Sequence, residues 1–166
     1  MANEFNAFEV LTMAERIEIN AQNFYHLASK MMDNPDISEL FSNLASWEKE
    51  HESLFTEMKS GLSEGEMAST AIDPYNELML YLSVMADEHV FVKNDLDPAS
   101  VIGDRSTPED IIDLAIEFEK ESILFFLALK RLMSKRSGSE EIQKVIDEEV
   151  NHMAYLASRR RILRSS

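Results

Sequence analysis

Residues 18–25 read Glu-Ile-Asn-Ala-Gln-Asn-Phe-Tyr, and residues 119–126 read Glu-Lys-Glu-Ser-Ile-Leu-Phe-Phe. Thirty positions after each leading glutamate stands a Glu-x-x-His unit, Glu48 to His51 in the first case and Glu149 to His152 in the second. The chain therefore writes one pattern twice in the same register: Glu-x-x-(Ala/Ser)-x-x-Phe-(Tyr/Phe), then Glu-x-x-His. Such a repeat predicts two supersecondary units of like design. A spacing of three brings the Glu and His of each unit to one face of a helix, about one turn apart.

Glycine and proline mark where the units begin and end. They fall at Pro35, Gly61, Gly65, Pro74, Pro98, Gly103, Pro108 and Gly138. Both residue types are poor in helix interiors, so the stretches 1–34, 36–60, 75–97, 109–137 and 139–166 are the candidate elements. Apolar residues recur at threes and fours within them. Phe8, Leu11, Ala14, Ile17, Ala21 and Phe24 form one such stripe, and Ile111, Leu114, Ala115, Phe118 and Phe125 another. No stretch alternates with the period of a half-buried strand. Thr107 before Pro108 and Glu109 reads as a helix start, Ser139 is expected to cap the last helix, and Asn34-Pro35-Asp36 reads as a turn. Residues 61–74 and 92–108 are expected to be connections, with a shorter apolar helix over 75–91. The prediction is an all-α fold, a single domain over 1–166. It is a four-helix bundle of two helical hairpins joined by a long crossover that contains the shorter helix.

Composition removes several function classes. The 166 residues carry 16 basic and 31 acidic side chains, a net charge of -15, against the positive field that a general nucleic-acid binder needs. The cysteine count is zero, which excludes disulfides, thiolate zinc sites, iron–sulfur clusters and cysteine nucleophiles. No apolar run approaches the roughly 18–20 residues of a membrane span, and the N-terminal Met1-Ala2-Asn3-Glu4-Phe5 lacks the basic residues of a signal peptide. The expectation is a cytoplasmic protein with no nucleic-acid or membrane partner. Arg159-Arg160-Arg161 is expected to complement the end of the last helix.

The motif acids lie on apolar faces. Glu18 shares a face with Leu11, Ala14, Ala21 and Tyr25, and Glu48 and His51 share one with Phe41, Leu44 and Phe55. Glu119 falls with Leu114 or Ala115 on one side and Ser122 and Phe126 on the other, and Glu149 and His152 between Val145 and Leu156. A buried carboxylate without a partner is costly, and four in one bundle repel one another. Pairing with Lys or Arg would relieve this, but no basic residue falls on these faces. Two divalent cations would balance the charge of about -4, with two neutral imidazoles completing the ligand set.

These segments resemble the ferritin-like superfamily, and within it the rubrerythrin diiron domain. Residues 17–25, 47–51, 118–126 and 148–152 carry the likeness, which spans about residues 5–163. The resemblance implies that Glu18 and Glu119 are single carboxylate ligands. It implies that Glu48 with His51 and Glu149 with His152 complete the set, Glu48 and Glu149 bridging the metals. The cofactor implied is two iron ions, with manganese or mixed metals also suited to these ligands. The activity implied is reduction of hydrogen peroxide or dioxygen, or alternatively oxidation and handling of ferrous iron as a ferroxidase. A non-catalytic helical interaction module is the third class. Two departures from rubrerythrins stand out. No rubredoxin domain with its four cysteines is present, so the electron donor implied is an external rubredoxin-like protein. Rubrerythrins also resemble one another in an extra acid three residues after the third-helix glutamate, where this chain has Ser122. The six-ligand set looks instead like that of bacterioferritin-type centres. With only fourteen residues after His152, a homodimer burying apolar faces such as 75–91 is expected rather than a storage cage.

Other residues are weighed against this set. Tyr25, Ser122 and Tyr155 are candidates to support the ligands from behind; Tyr25 and Tyr155 would hydrogen-bond ligand carboxylates or simply pack. His26 and His89 lie outside the motif and are expected at the surface. Trp47 and the ten methionines are expected to fill the core.

Overall fold

The computed structural model describes residues 6–68, 77–105, 107–133 and 138–165. The described residues contain four long helices: α1 (Ala7–Met31), α2 (Pro35–Ser60), α6 (Pro108–Leu132) and α7 (Ser139–Arg164). Between α2 and α6 lie α3 (Glu64–Ala68), α4 (Glu77–Glu88), a 3-10 turn (Val90–Val92) and α5 (Pro98–Ile102). The helix expected over 75–91 is thus shorter, and the two connections each hold a five-residue helix. Met1–Phe5, Pro74 and residues 75–76 lie outside the described residues.

Local chemistry sets the helix ends. Asn6 and Glu9 form a reciprocal capping box at α1. Asn34 Oδ1 accepts from the Asp36 and Ile37 amides, with Pro35 in the first turn of α2. Thr107 Oγ1 accepts from the Asp110 amide at 3.2 Å. The last helix differs from expectation. Ser139 is its first helical residue, and the cap is Gly138 with φ of 107°, making no side-chain cap bond. That positive φ is what calls for glycine there, and a Cβ would in addition displace the flexible end of Met58. At the other end of α7, Arg160 and Arg164 both pair with Asp113 of α6, at 2.6 and 3.0 Å.

Helices α1 and α2 pack as one hairpin and α6 and α7 as the other. Their buried stripes form one core. Aromatic pairs sit on both sides of the bundle's middle. Phe55 and Phe126 meet at 5.1 Å between ring centroids, and Tyr25 stacks on Phe41 at 6.0 Å. The crossover, in its described residues, packs on the bundle. Its 3-10 turn and α5 lie on α1, and α4 lies on α6. The buried Asn20 of α1 donates from Nδ2 to the carbonyls of Phe91 (2.6 Å) and Lys93 (2.9 Å). That bond pair drives Phe91 into the core, where its ring meets Phe118 at 4.3 Å.

Removing this clamp leaves two crossover carbonyls without their partner. Asn20→Ala is expected to lower the unfolding free energy by about 1–3 kcal/mol, read by chemical denaturation. It should also speed amide hydrogen exchange at residues 89–93. Unchanged exchange there would show that the clamp does not hold the crossover.

Candidate metal centre

Each long helix contributes to one site near its own middle. Glu18 comes from α1, Glu48 and His51 from α2, Glu119 from α6, and Glu149 and His152 from α7. All six are buried. The thirty-residue offset explains the convergence. In an antiparallel hairpin with a short turn, residues equidistant from the turn come level, and both hairpins use the same offset.

The six side chains form two interlocking groups. The first is Glu18, Glu48, His51 and Glu149, and the second Glu48, Glu119, Glu149 and His152. Within each, ligand-type atoms all lie within 4.8 Å of one another. His51 Nδ1 is 2.8 Å from Glu149 Oε1, 3.2 Å from Glu48 Oε2 and 3.8 Å from Glu18 Oε1. His152 Nδ1 is 3.2 Å from Glu149 Oε2, 3.3 Å from Glu48 Oε1 and 3.9 Å from Glu119 Oε2. Glu48 and Glu149 therefore face both groups with one oxygen each, and Glu18 and Glu119 face one apiece.

The surroundings differ from face to face. Ala21, Phe91, Phe118 and Ser122 close off the carboxylates on the crossover side. Tyr25 is buried and donates its hydroxyl proton to Glu119 Oε1. Ser122 is buried one turn from Glu119. Tyr155 touches no ligand carboxylate: its ring lies 6.0 Å from that of Trp47, and its hydroxyl accepts from Arg159. Trp47 is half-buried rather than core, and it stacks on the His152 ring at 5.1 Å with 14° between planes. Together with Glu50, Glu148, Asn151 and Tyr155 it lines a cleft of about 390 Å³ that reaches His152. Glu148 escaped the sequence reading. It is mostly exposed, yet its Oε2 lies 2.7 Å from His51 Nε2. The available signal was its place immediately before Glu149.

His26 is exposed as expected, whereas His89 is not. Helix α4 ends at Glu88, and the 3-10 turn carries His89 inward, where Nδ1 accepts from the Phe91 amide at 3.2 Å. Burial lowers its pKa to about 4, so the ring is neutral. Glu121 turns towards His89 (3.6 Å) and belongs to neither carboxylate group.

The site is short of positive charge. Burial, then repulsion from Glu48 and Glu149, pushes the Glu18 carboxyl well above the usual carboxylate range. Burial and the neighbouring Glu149 do the same to Glu119. Burial also opposes a charge on Glu149, but hydrogen bonds with Glu119, His152 and His51 outweigh it and hold that carboxyl low. Burial disfavours charge on both imidazoles as well, yet bonds to Glu149 and Glu48 raise His51 far above its ordinary value and His152 to about 9. Among the described residues no lysine or arginine pairs with any of the four glutamates. Glu18 Oε1, Glu48 Oε1 and Glu149 Oε1 are buried without a well-directed hydrogen bond, the last two meeting only an imidazole nitrogen, at 3.3 and 2.8 Å. Four carboxylates and two imidazoles with such inward oxygens fit a pair of divalent cations with oxygen and nitrogen ligands.

In the metal-free protein, protons supply the balancing charge. The raised Glu18, Glu119, His51 and His152 bind more protons folded than unfolded above about pH 5, so stability falls as pH rises. For His152 the contribution is complete below about 6.5, the unfolded value, and is lost as pH rises through about 9. The melting temperature of chelator-treated protein is expected to fall from about pH 6 to about pH 9. A flat or rising profile would contradict the proton-held cluster.

Comparison with known proteins agrees with this arrangement. No curated protein matches the chain. Among solved structures, a candidate ferritin-like diiron-carboxylate protein from Thermotoga maritima superposes with a TM-score of 0.70. The likeness covers 97% of this chain and 98% of that one at 23% identity, and it is a likeness of fold. The Rubrerythrin family model matches residues 9–158, which hold all six convergent side chains. The chain is a member of the rubrerythrin family.

Proposed function

We propose that Glu18, Glu48, His51, Glu119, Glu149 and His152 hold two iron ions. On this reading the protein is a non-haem diiron redox protein that reduces hydrogen peroxide or dioxygen with electrons from an external donor. The observation that carries the reading is the pair of four-residue groups sharing Glu48 and Glu149. Four carboxylates against two divalent cations leave about zero net charge in a space where no lysine or arginine of the described residues pairs with them. Manganese suits the same donors, so iron is part of the proposal.

Two bound iron ions would supply one electron each to split the O–O bond of hydrogen peroxide, which with two protons yields two waters. The chain's residues prepare the place. Glu48 and Glu149 each present an oxygen to both positions. Burial, then the charge of Glu119, keeps the Tyr25 phenol protonated, so its hydroxyl fixes the Glu119 carboxylate by hydrogen bonding. Phe91 and Phe118 exclude water on the crossover side. The cleft beside Trp47 and His152 offers small oxidants an approach from the other side. With no cysteine, the chain has no rubredoxin-type iron site of its own, so a rubredoxin-like protein is the proposed reductant. A cytoplasmic homodimer completes the proposal. Its contact would cover the exposed Leu80 and Val84 of α4 and Leu124 and Leu127 of α6.

Glu48→Ala and His152→Ala should each bring metal content below two per chain, measured by elemental analysis after loading. Two metals per chain in both variants would refute the ligand set.

Ser122 stands where rubrerythrins resemble one another in a further acid, and Glu121 faces His89 instead. The diferrous protein is therefore expected to be oxidised by peroxide and dioxygen without marked preference, and Ser122→Glu to shift the ratio of oxidation rates towards peroxide. Stopped-flow absorbance under anaerobic preparation measures that ratio. Failure of both oxidants to react would overturn the redox reading, and a strong wild-type preference for peroxide would overturn the role given to Ser122.

A further inference from the structure

The repeat places Trp47 immediately before Glu48 and Glu148 immediately before Glu149. These matching positions reach across to the histidine of the other hairpin. Glu148 Oε2 lies 2.7 Å from His51 Nε2, and Trp47 stacks on His152. The geometry is shared, but the chemistry is not. A carboxylate accepts the Nε2 proton of His51, which directs the Nδ1 lone pair inward and makes the ring a stronger donor. An indole face orients His152 but accepts nothing in the plane of the ring. Among the described residues no group accepts from His152 Nε2, and His152 borders the open cleft.

We infer that the two metal positions are unequal, with Glu148 and Trp47 as the positioning residues that make them so. This rests on the two-metal reading above. The position built from Glu18, Glu48, His51 and Glu149 is the tight one. The position built from Glu48, Glu119, Glu149 and His152 is weaker, fills second and exchanges through the cleft beside Trp47. A ligand histidine that loses such an outer partner typically costs about 10–100-fold in metal affinity, which sets the scale of the difference.

Zinc tests this without redox chemistry. Metal-free full-length protein is titrated with Zn²⁺ by calorimetry while the emission of Trp47, the chain's one tryptophan, is followed in parallel. Two binding steps at least about tenfold apart are expected, with most of the Trp47 emission change in the second. Glu148 is exposed, so its replacement should not disturb folding. Glu148→Ala should weaken the first step about 10–100-fold and bring the two affinities together, with Glu148→Gln in between. Trp47→Glu should tighten the second step. Fewer than two Zn²⁺ per wild-type chain would overturn the two-metal reading itself. Two equal steps, a Trp47 signal complete at the first equivalent, or a Glu148→Ala effect confined to the weaker step would overturn the inequality while leaving two metals in place.

Discussion

Four carboxylates share a space with almost no room for water and, among the described residues, no lysine or arginine. Like charges this close cannot all remain ionised in an apolar bundle. Positive charge has to come from somewhere, and the two imidazoles at the same level receive it as protons in the metal-free protein. Divalent cations meet the same need with less compromise, because they also satisfy the oxygens of Glu18, Glu48 and Glu149 that lack a well-directed hydrogen bond. The rest of the bundle is arranged around that requirement. Aromatic pairs lie on both sides of the site, and the long helices continue well past it in both directions.

The crossover contributes more than a connection. Asn20 draws the 89–93 segment against α1, and Phe91 then closes the carboxylates together with Ala21 of α1 and Phe118 and Ser122 of α6. The opposite side stays accessible beside Trp47. A site closed on one side and reachable on the other restricts approach to small molecules, and His152 itself borders the open cleft.

Much of this was legible in the sequence. The repeated glutamates, the equal offsets and the apolar stripes were enough to predict the bundle, both hairpins and the six side chains that converge. The helix start at Thr107 was readable because a capping side chain precedes a proline, whereas Asn34-Pro35-Asp36, which reads as a turn, is the cap and first turn of α2. Ser139 misled, because it resembles a cap while the chain uses the left-handed conformation of Gly138 instead. His89 misled for a related reason. Its neighbours Asp87 and Glu88 are polar, but a change of helix type after Glu88 reverses which side faces the core.

The sequence by itself determined what recurs along a helix: which faces are apolar, which acids lie on them and that two hairpins share one design. These follow from helical periodicity, which is a local property of the chain. Only the tertiary structure decided what meets across hairpins. Nothing in the spacing says that Glu148 reaches His51 while Trp47 reaches His152, that Tyr25 of α1 serves Glu119 of α6, or that Phe91 closes the site. Those contacts join residues 94 to 105 positions apart, or cross from the crossover into the bundle. They depend on the angle and level at which one helix pair packs on the other, which side-chain packing sets and no single helix contains.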